Sequence, residues 1–147
     1  MKKQLIGRKD ILDFPELKLE DIEVKIDTGA YSSSIHCRDI EQVVIDEKKA
    51  ITFVLLDPSH PNYHGKKFTF FNFREKRVKS SNGVSEKRFI ITSDVLIYGK
   101  LHKIELSLTE RGEMRFPILI GRKLLMGKFI VDTSKVDLSH KEKQNFL

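Results

Sequence analysis

The sequence predicts an all-β fold in which one small domain closes into a barrel. Two segments, 21–26 and 103–109, alternate apolar and polar residues with the period of two that a half-buried strand requires. Other short runs are rich in β-branched and aromatic residues, which suit buried strands, whereas helical periodicity is scarce. Asn82-Gly83 lies between two such runs and predicts a hairpin turn, because both residues tolerate a positive φ.

The remaining elements follow in chain order. Further strands are expected at 43–45, 51–56, 68–73 and 89–91. Two prolines and turn-forming polar residues predict a loop over 57–62. The best helix candidate is one or two turns over 122–126, opened by Gly121 and closed by Gly127. We therefore expect one domain over 1–133 and a charged tail over 134–147 that is exposed or mobile unless a partner orders it.

Composition narrows the class of protein. The chain has 147 residues, 39% hydrophobic and 33% charged, which fits one domain with a buried core. No apolar run approaches the ~18–20 residues of a membrane-spanning helix, and no hydrophobic stretch follows the basic amino terminus. We therefore expect a cytoplasmic protein.

Cys37 is the only cysteine, which excludes an internal disulfide and a cysteine-rich zinc site. The net charge of +6 suggests an acidic partner: nucleic acid, an anionic surface or an acidic peptide.

The segment with the clearest chemical potential is 25–30, Lys-Ile-Asp-Thr-Gly-Ala. An alternating strand ends in the carboxylate of Asp27. Thr28 can hydrogen-bond the backbone and lock a turn, and Gly29 allows a tight turn or a close approach to a ligand. Taken alone, the segment is better explained as an ordinary Asx turn.

A second segment, 116–125, reads Phe-Pro-Ile-Leu-Ile-Gly-Arg-Lys-Leu-Leu, an apolar strand that runs into a glycine and a short helix. Together the two segments resemble the signature segments of retropepsin-like aspartic proteases, in the same order and about 90 residues apart. The resemblance implies a closed barrel with a flap hairpin and one short C-terminal helix. Asn82 and Gly83 would form the flap tip.

A closer resemblance, from about residue 7 to 133, adds Phe14-Pro15-Glu16-Leu17, Ser33-Ser34-Ile35-His36, Met114-Arg115-Phe116-Pro117 and Val131-Asp132. These segments resemble the corresponding segments of bacterial and archaeal proteins that are often labelled ATP-dependent zinc proteases. Those proteins are now grouped as RimB-like retropepsin-like proteases associated with RimK, an ATP-grasp glutamate ligase. The resemblance implies a protease that trims glutamate tails from a ribosomal protein or a related acidic peptide, and a functional link to the ligase.

The resemblance also implies roles for individual residues. Aspartic proteolysis needs two carboxylates that share a proton, and one chain of this length supplies one lobe, so the second Asp27 would come from another copy in a homodimer. Asp27 would be catalytic. Its loop would be supported by Thr28, Gly29, Ala30, Gly121 and Arg122. Substrate and flap contacts would come from Tyr31, Arg77, Lys79, Asn82, Gly83 and Arg88.

One position departs from the pattern. Retroviral members have an aspartate after the alanine, which pairs with the arginine of the Gly-Arg segment, and many members of the glutamate-tail group have a basic residue there. Here the residue is Tyr31, so Arg122 needs another partner or faces solvent, and substrate preference or even activity could differ.

Asp132-Thr133-Ser134 mimics a second catalytic loop, but too few residues follow it for another flap and strand, so we interpret it as a strand end.

The zinc label finds little support in the sequence. The candidate ligands are His36, Cys37, His60, His64, His102 and His140. Pro61 argues against a helix that would align His60 with His64, and adjacent His36 and Cys37 would point to opposite faces of a strand. No His-Glu-x-x-His and no Walker-type phosphate loop is present. We expect no metal and no other cofactor.

A rival interpretation comes from the segment 66–88, which has eight basic and two acidic residues and therefore carries the whole surplus of charge. Phenylalanines are interleaved with these cations, as in barrels that bind oligonucleotides. A non-catalytic β-barrel module that binds RNA or an acidic protein segment is thus the alternative to a peptidase. The proposed flap lies in the same segment, so the charge favours an acidic peptide over a membrane surface and keeps RNA as the alternative.

Overall fold

A computed structural model describes residues 2–79, 82–110 and 115–145. In these segments the chain forms strands β1–β11 and helices α1 and α2. Their bounds are β1 (Gln4–Ile6), β2 (Lys9–Phe14), β3 (Leu19–Ile26), β4 (Ser33–Ile45), β5 (Lys48–Leu55), β6 (Lys67–Phe70), β7 (Arg74–Lys79), β8 (Ser85–Ile97), β9 (Lys100–Thr109), β10 (Ile118–Ile120), α1 (Arg122–Leu125), β11 (Phe129–Val131) and α2 (Leu138–Asn145). A short 3₁₀ turn, Pro15–Leu17, joins β2 to β3. The all-β prediction is confirmed.

Strand pairing closes a ring around the core. β2 pairs with β3 and β8, β8 with β9, β9 with β4, and β4 with β10, which returns to β3. β5 and β6 extend the sheet from the distal half of β4, and β7 pairs with the first half of β8. The alternating residues of β3 and β9 place one apolar side chain in two inside the ring, where the core contains Val24, Ile104 and Leu106.

The position of β10 decides the architecture of the site. This strand of three residues runs parallel to β3 and antiparallel to β4, so it lies between them. Ile118 and Ile120 are fully buried, which accounts for the continuous apolar run in the sequence. Because β3 and β4 are consecutive in the chain, the loop that joins them must pass across the end of β10.

Two local predictions differ from the structure. The run 68–73 does not form one strand: β6 ends at Phe70 and β7 begins at Arg74, with a bend between them. The tail over 134–147 contains α2, which packs on β2. The carboxylate of Asp10, a fully buried side chain, accepts hydrogen bonds from the backbone N–H groups of Ser139 (3.0 Å) and His140 (3.2 Å) at the start of this helix.

Candidate active site

The loop after β3 holds Asp27 at the edge of the strand ring. The backbone N–H of Asp27 donates to the carbonyl of Ile120 at 2.8 Å, so the last residue of β10 fixes the start of the loop. The Oδ1 atom of Asp27 accepts a hydrogen bond from the N–H of Gly29 at 3.1 Å, and the Ala30 N–H donates to the Asp27 carbonyl at 3.2 Å. Asp27 is half-buried, whereas Thr28 and Gly29 are exposed. The carboxylate is thus held by its own loop at a surface that ligands can reach.

Gly121 supports this loop from below. A Cβ atom at position 121 would lie 2.5 Å from the carbonyl oxygen of Ser32 and 2.6 Å from that of Tyr31, which only glycine avoids. The N–H of Gly121 donates to the Oγ of Ser33 at 2.9 Å, and Ser33 is 97% buried. Ser33 therefore satisfies a buried amide at the crossing of the two segments, a role that no sequence signal beyond the resemblance indicated.

Arg122 clamps the loop from its other side. Its backbone N–H donates to the Ala30 carbonyl at 2.8 Å, and its Nη1 donates to the Thr28 carbonyl at 2.9 Å. The guanidinium carbon lies 5.9 Å from the centre of the Tyr31 ring, within the range of a cation–π contact. The Tyr31 ring is therefore a side-chain partner of the Arg122 guanidinium. It stands at the sequence position where retroviral members have an aspartate.

The Asn82-Gly83 turn joins β7 to β8, as predicted. Lys79 pairs with Ser85 across the hairpin, Gly83 has a φ of 82°, and the Val84 N–H donates to the Oδ1 of Asn82 at 3.2 Å. Arg77 and Lys79 lie exposed on β7, and Arg88 on β8 lies 3.7 Å from Glu86. The hairpin exists, and its cations lie along both of its strands.

A small cavity of about 60 Å³ lies beside the loop, between Tyr31 and the base of the hairpin. Of the residues predicted to contact substrate, Tyr31 lines it. Arg74, Lys76, Glu105 and Lys123 also line it, and sequence reasoning did not single these four out as a group. Glu105 and Lys123 come from β9 and α1, so no spacing in the sequence could have connected them.

The candidate metal ligands have other partners or surroundings. His36 is buried beside Asp57, with 3.0 Å between its Nε2 and the carboxylate. His60 and His64 each accept a backbone N–H through Nδ1, and burial lowers the pKa of His60. Burial raises the pKa of the Cys37 thiol, which opposes thiolate formation. Within the described residues no group of three or more His, Cys, Asp or Glu side chains is placed to hold a metal ion.

Asp132 forms an Asx turn at the end of β11. Its Oδ1 accepts hydrogen bonds from the Ser134 Oγ (2.6 Å) and the Ser134 N–H (2.9 Å), and these bonds hold the pKa of Asp132 below its usual value. The segment that mimics a second catalytic loop thus ends a strand.

The interleaved phenylalanines serve mainly as core. Phe68 is 8% exposed and its ring centre lies 5.9 Å from that of Phe53, while Phe70 and Phe73 pack against the core from its margin. Phe71, by contrast, is 50% exposed. Most of these rings are therefore not presented to stack on bases.

Comparisons with known proteins found a matching family and several relatives. A family model described as RimB-like, retropepsin-like aspartic endopeptidase RimB, matches residues 5–142. Met114, part of one resembling segment, lies within the match but outside the described residues. Among curated proteins, a probable alpha-L-glutamate ligase of Shewanella pealeana is 33% identical over 137 residues, 90% of this chain and 29% of that protein. One from Desulfotalea psychrophila is 34% identical over 134 residues, 88% of this chain and 28% of that protein. The chain thus spans less than a third of these relatives.

A solved structure shares the fold. It is a Legionella pneumophila protein of unknown function, with a TM-score of 0.68 and 19% identity over 94% of this chain and 99% of that one.

Within residues 2–79, 82–110 and 115–145, neither helix has the length and apolar character needed to cross a membrane.

Proposed function

Because the chain belongs to the RimB-like family of retropepsin-like aspartic endopeptidases, we propose that it is a cytoplasmic aspartic peptidase with Asp27 as its catalytic carboxylate. The observation that carries the proposal is the clamped loop. Ile120, Gly121 and Arg122 hold both the start and the middle of the Asp27 turn, with Arg122 bonded to the Ala30 and Thr28 carbonyls. A turn held at this many points keeps a carboxylate in a fixed orientation, which is what catalysis by positioning requires.

The active unit is a homodimer. Aspartic proteolysis uses two carboxylates that share one proton, and each chain contributes one Asp27 across a twofold axis. We assign the Asp132 turn, in which both hydrogen bonds to Oδ1 come from Ser134, to the end of β11 and not to the catalytic pair. Exposed apolar residues also favour a second copy: Leu5 (43% exposed) and Ile130 (55%) are paired neighbours on the outward face of β1 and β11.

The mechanism follows from the paired carboxylates. One Asp27 carboxylate removes a proton from a water molecule, which attacks the peptide carbonyl, while the protonated Asp27 of the second copy protonates the carbonyl oxygen. Thr28 braces the two loops across the axis. Gly29 presents its backbone to the substrate, and the hairpin with Asn82 and Gly83 at its tip closes over it.

The substrate is an acidic peptide such as a glutamate tail on a protein, and the partner enzyme is an ATP-grasp glutamate ligase. Two observations support this part of the proposal. The surplus of eight basic over two acidic residues in 66–88 lies on and around the hairpin. Proteins named probable alpha-L-glutamate ligase also contain a segment similar to this chain within a longer polypeptide, which would couple glutamate addition to its removal.

Asp27→Asn tests the function directly. The variant keeps the shape and the Oδ1 acceptor for Gly29 but cannot share a proton, so cleavage of a glutamate-tailed peptide should fall to background. Asp132→Asn is the matched control, because it makes the same change in the similar Asp-Thr-Ser turn and should leave turnover intact. Mass spectrometry of the products measures both. Full activity in Asp27→Asn would refute the proposal, and RNA binding with a steep salt dependence and no cleavage would favour the non-catalytic module.

A further inference from the structure

Two neighbouring cavities lie on the side of the proposed catalytic loop that faces the hairpin. The smaller one, about 60 Å³, touches Tyr31, Ser32 and Ser33 at the end of the loop. The larger one, about 710 Å³, extends along the outer side of β8 and β9 to the bend between β6 and β7. Arg74, Ile90 and Glu105 line both, so the two cavities are adjacent at these three residues.

Glu105 organises the charges at the junction of the two cavities. It accepts hydrogen bonds from Arg74 through Nη2 (3.0 Å) and Nε (3.3 Å), and from the Nζ of Lys123. The hydrogen bonds from Lys123 and Arg74 hold the pKa of Glu105 below its usual value. A bidentate arginine and a lysine on one carboxylate fix the directions of both cations.

The small cavity nevertheless has an excess of positive charge. Lys76 lies two residues after Arg74 on β7, on the same face of the strand, and lines the cavity with Arg74 and Lys123. In the part of the chain that the structure describes, Lys76 has no acidic partner. Three cations and one carboxylate, that of Glu105, therefore line the small cavity, which leaves an excess of two positive charges.

One of the three cations, Lys123, is anchored to the loop through its backbone. The backbone N–H of Lys123 donates to the carbonyl of Tyr31 at 2.9 Å, one residue after Arg122 holds Thr28 and Ala30. The distance from the loop to the lysine is thus fixed by the same contacts that hold Asp27. A ligand group in the small cavity has a set position relative to the catalytic carboxylate.

We infer that Arg74 and Lys123, both held by Glu105, form together with Lys76 a subsite for a side-chain carboxylate of the substrate, a few residues from the bond that is cleaved. The inference rests on the proposed function and deepens it, because it names the residues that recognise acidic side chains. These differ from Arg77, Lys79 and Arg88, which lie farther along the hairpin or pair with a local carboxylate.

Binding to the inactive Asp27→Asn protein tests the subsite without relying on cleavage. The probes are two fluorescently labelled peptides that differ only in a short run of glutamates or of glutamines. The Asp27→Asn protein should bind the glutamate peptide more tightly than the glutamine peptide. Adding Lys76→Gln and Lys123→Gln should reduce that preference by about threefold per lysine, the effect of one solvent-accessible ion pair. Lys48→Gln, the same change at the exposed start of β5, is the matched control and should retain the preference.

The outcomes separate the subsite from the peptidase proposal. If the Lys76→Gln/Lys123→Gln protein melts like its parent and keeps the full preference for glutamate, or if the parent binds both peptides equally, the subsite is wrong. If the wild-type protein cleaves both peptides equally well and Asp27→Asn cleaves neither, the peptidase stands and the subsite falls. If the preference disappears only with the two lysines while the wild-type protein cleaves nothing, the subsite stands and the peptidase falls.

Discussion

Replacing Gly121 by alanine would put a methyl group into the crossing between α1 and the loop that contains Asp27. The new Cβ would lie 2.5 Å from the Ser32 oxygen, 2.6 Å from the Tyr31 oxygen and 2.7 Å from the Ser32 carbonyl carbon. All three are backbone atoms, so no side-chain rotation can relieve the contact. Relief to an ordinary separation of about 3.4 Å requires the two segments to move apart by roughly 0.9 Å.

That displacement has two expected consequences. Overpacking of this kind destabilises a protein by about 1–3 kcal/mol, which for a chain of 147 residues corresponds to a fall of about 3–10 °C in the melting midpoint. The displacement also moves the loop that holds Asp27, and a misplacement near 1 Å lowers turnover by about 100-fold. Activity should therefore fall much more than the loss of folded protein explains.

Thermal unfolding and peptide cleavage measure the two effects on the same preparation, well below the melting midpoint. Gly29→Ala is the comparison for stability, because its Cβ would meet the Asp27 Oδ1 at 3.4 Å, an ordinary contact distance. Its midpoint should stay near that of the wild type. A Gly121→Ala protein with unchanged midpoint and unchanged turnover would refute the steric reasoning and the importance of this crossing for the loop.

Two further predictions concern helix α2 and the dimer. Burial raises the pKa of Asp10 above its ordinary value of 3.8, so the folded protein binds this proton more tightly than the unfolded chain. The free energy of unfolding of the wild type, relative to that of Asp10→Asn, should therefore decrease as pH rises from about 3.8 through the raised pKa. Urea unfolding of both proteins at several pH values measures this. A difference in free energy between the two proteins that stays the same at every pH would contradict the prediction. Ile130→Glu adds a charge to the exposed apolar face of β11 and should produce an inactive monomer in sedimentation, whereas Val44→Glu, at a 70% exposed site on β4, should remain a dimer. A dimeric, active Ile130→Glu protein would exclude this face as the interface.

Much of the fold could be predicted because its signals are local. The alternation in 21–26 and 103–109 requires only that one face of each strand be buried, and β3 and β9 appear there. The hairpin at Asn82-Gly83 was predicted from two turn-forming residues, of which Gly83 adopts a positive φ in the structure. The break at Phe71 in the run 68–73 was not predictable, because apolar residues of the same types occur both at the end of a strand and in a bend.

The C-terminal helix shows the limit of local signals in another way. Its sequence is polar and charged, so neither periodicity nor hydrophobicity distinguishes it from a mobile tail. The structure orders it through a buried carboxylate: Asp10 accepts the Ser139 N–H from a position 129 residues earlier in the chain. Such a contact leaves no pattern in either segment.

The sequence by itself determined the chemistry that the site can offer: one carboxylate in an Asp-Thr-Gly turn, a Gly-Arg segment to support it, and an excess of cations around the hairpin. Only the tertiary structure decided how these parts meet. It inserts β10 between β3 and β4, places Arg122 on the Thr28 carbonyl from 94 residues away, and gathers Arg74, Lys76 and Lys123 around Glu105. The physical reason is that strand pairing brings distant segments together edge to edge, and the closeness of side chains across strands is set by register, which the order of residues in one strand does not encode.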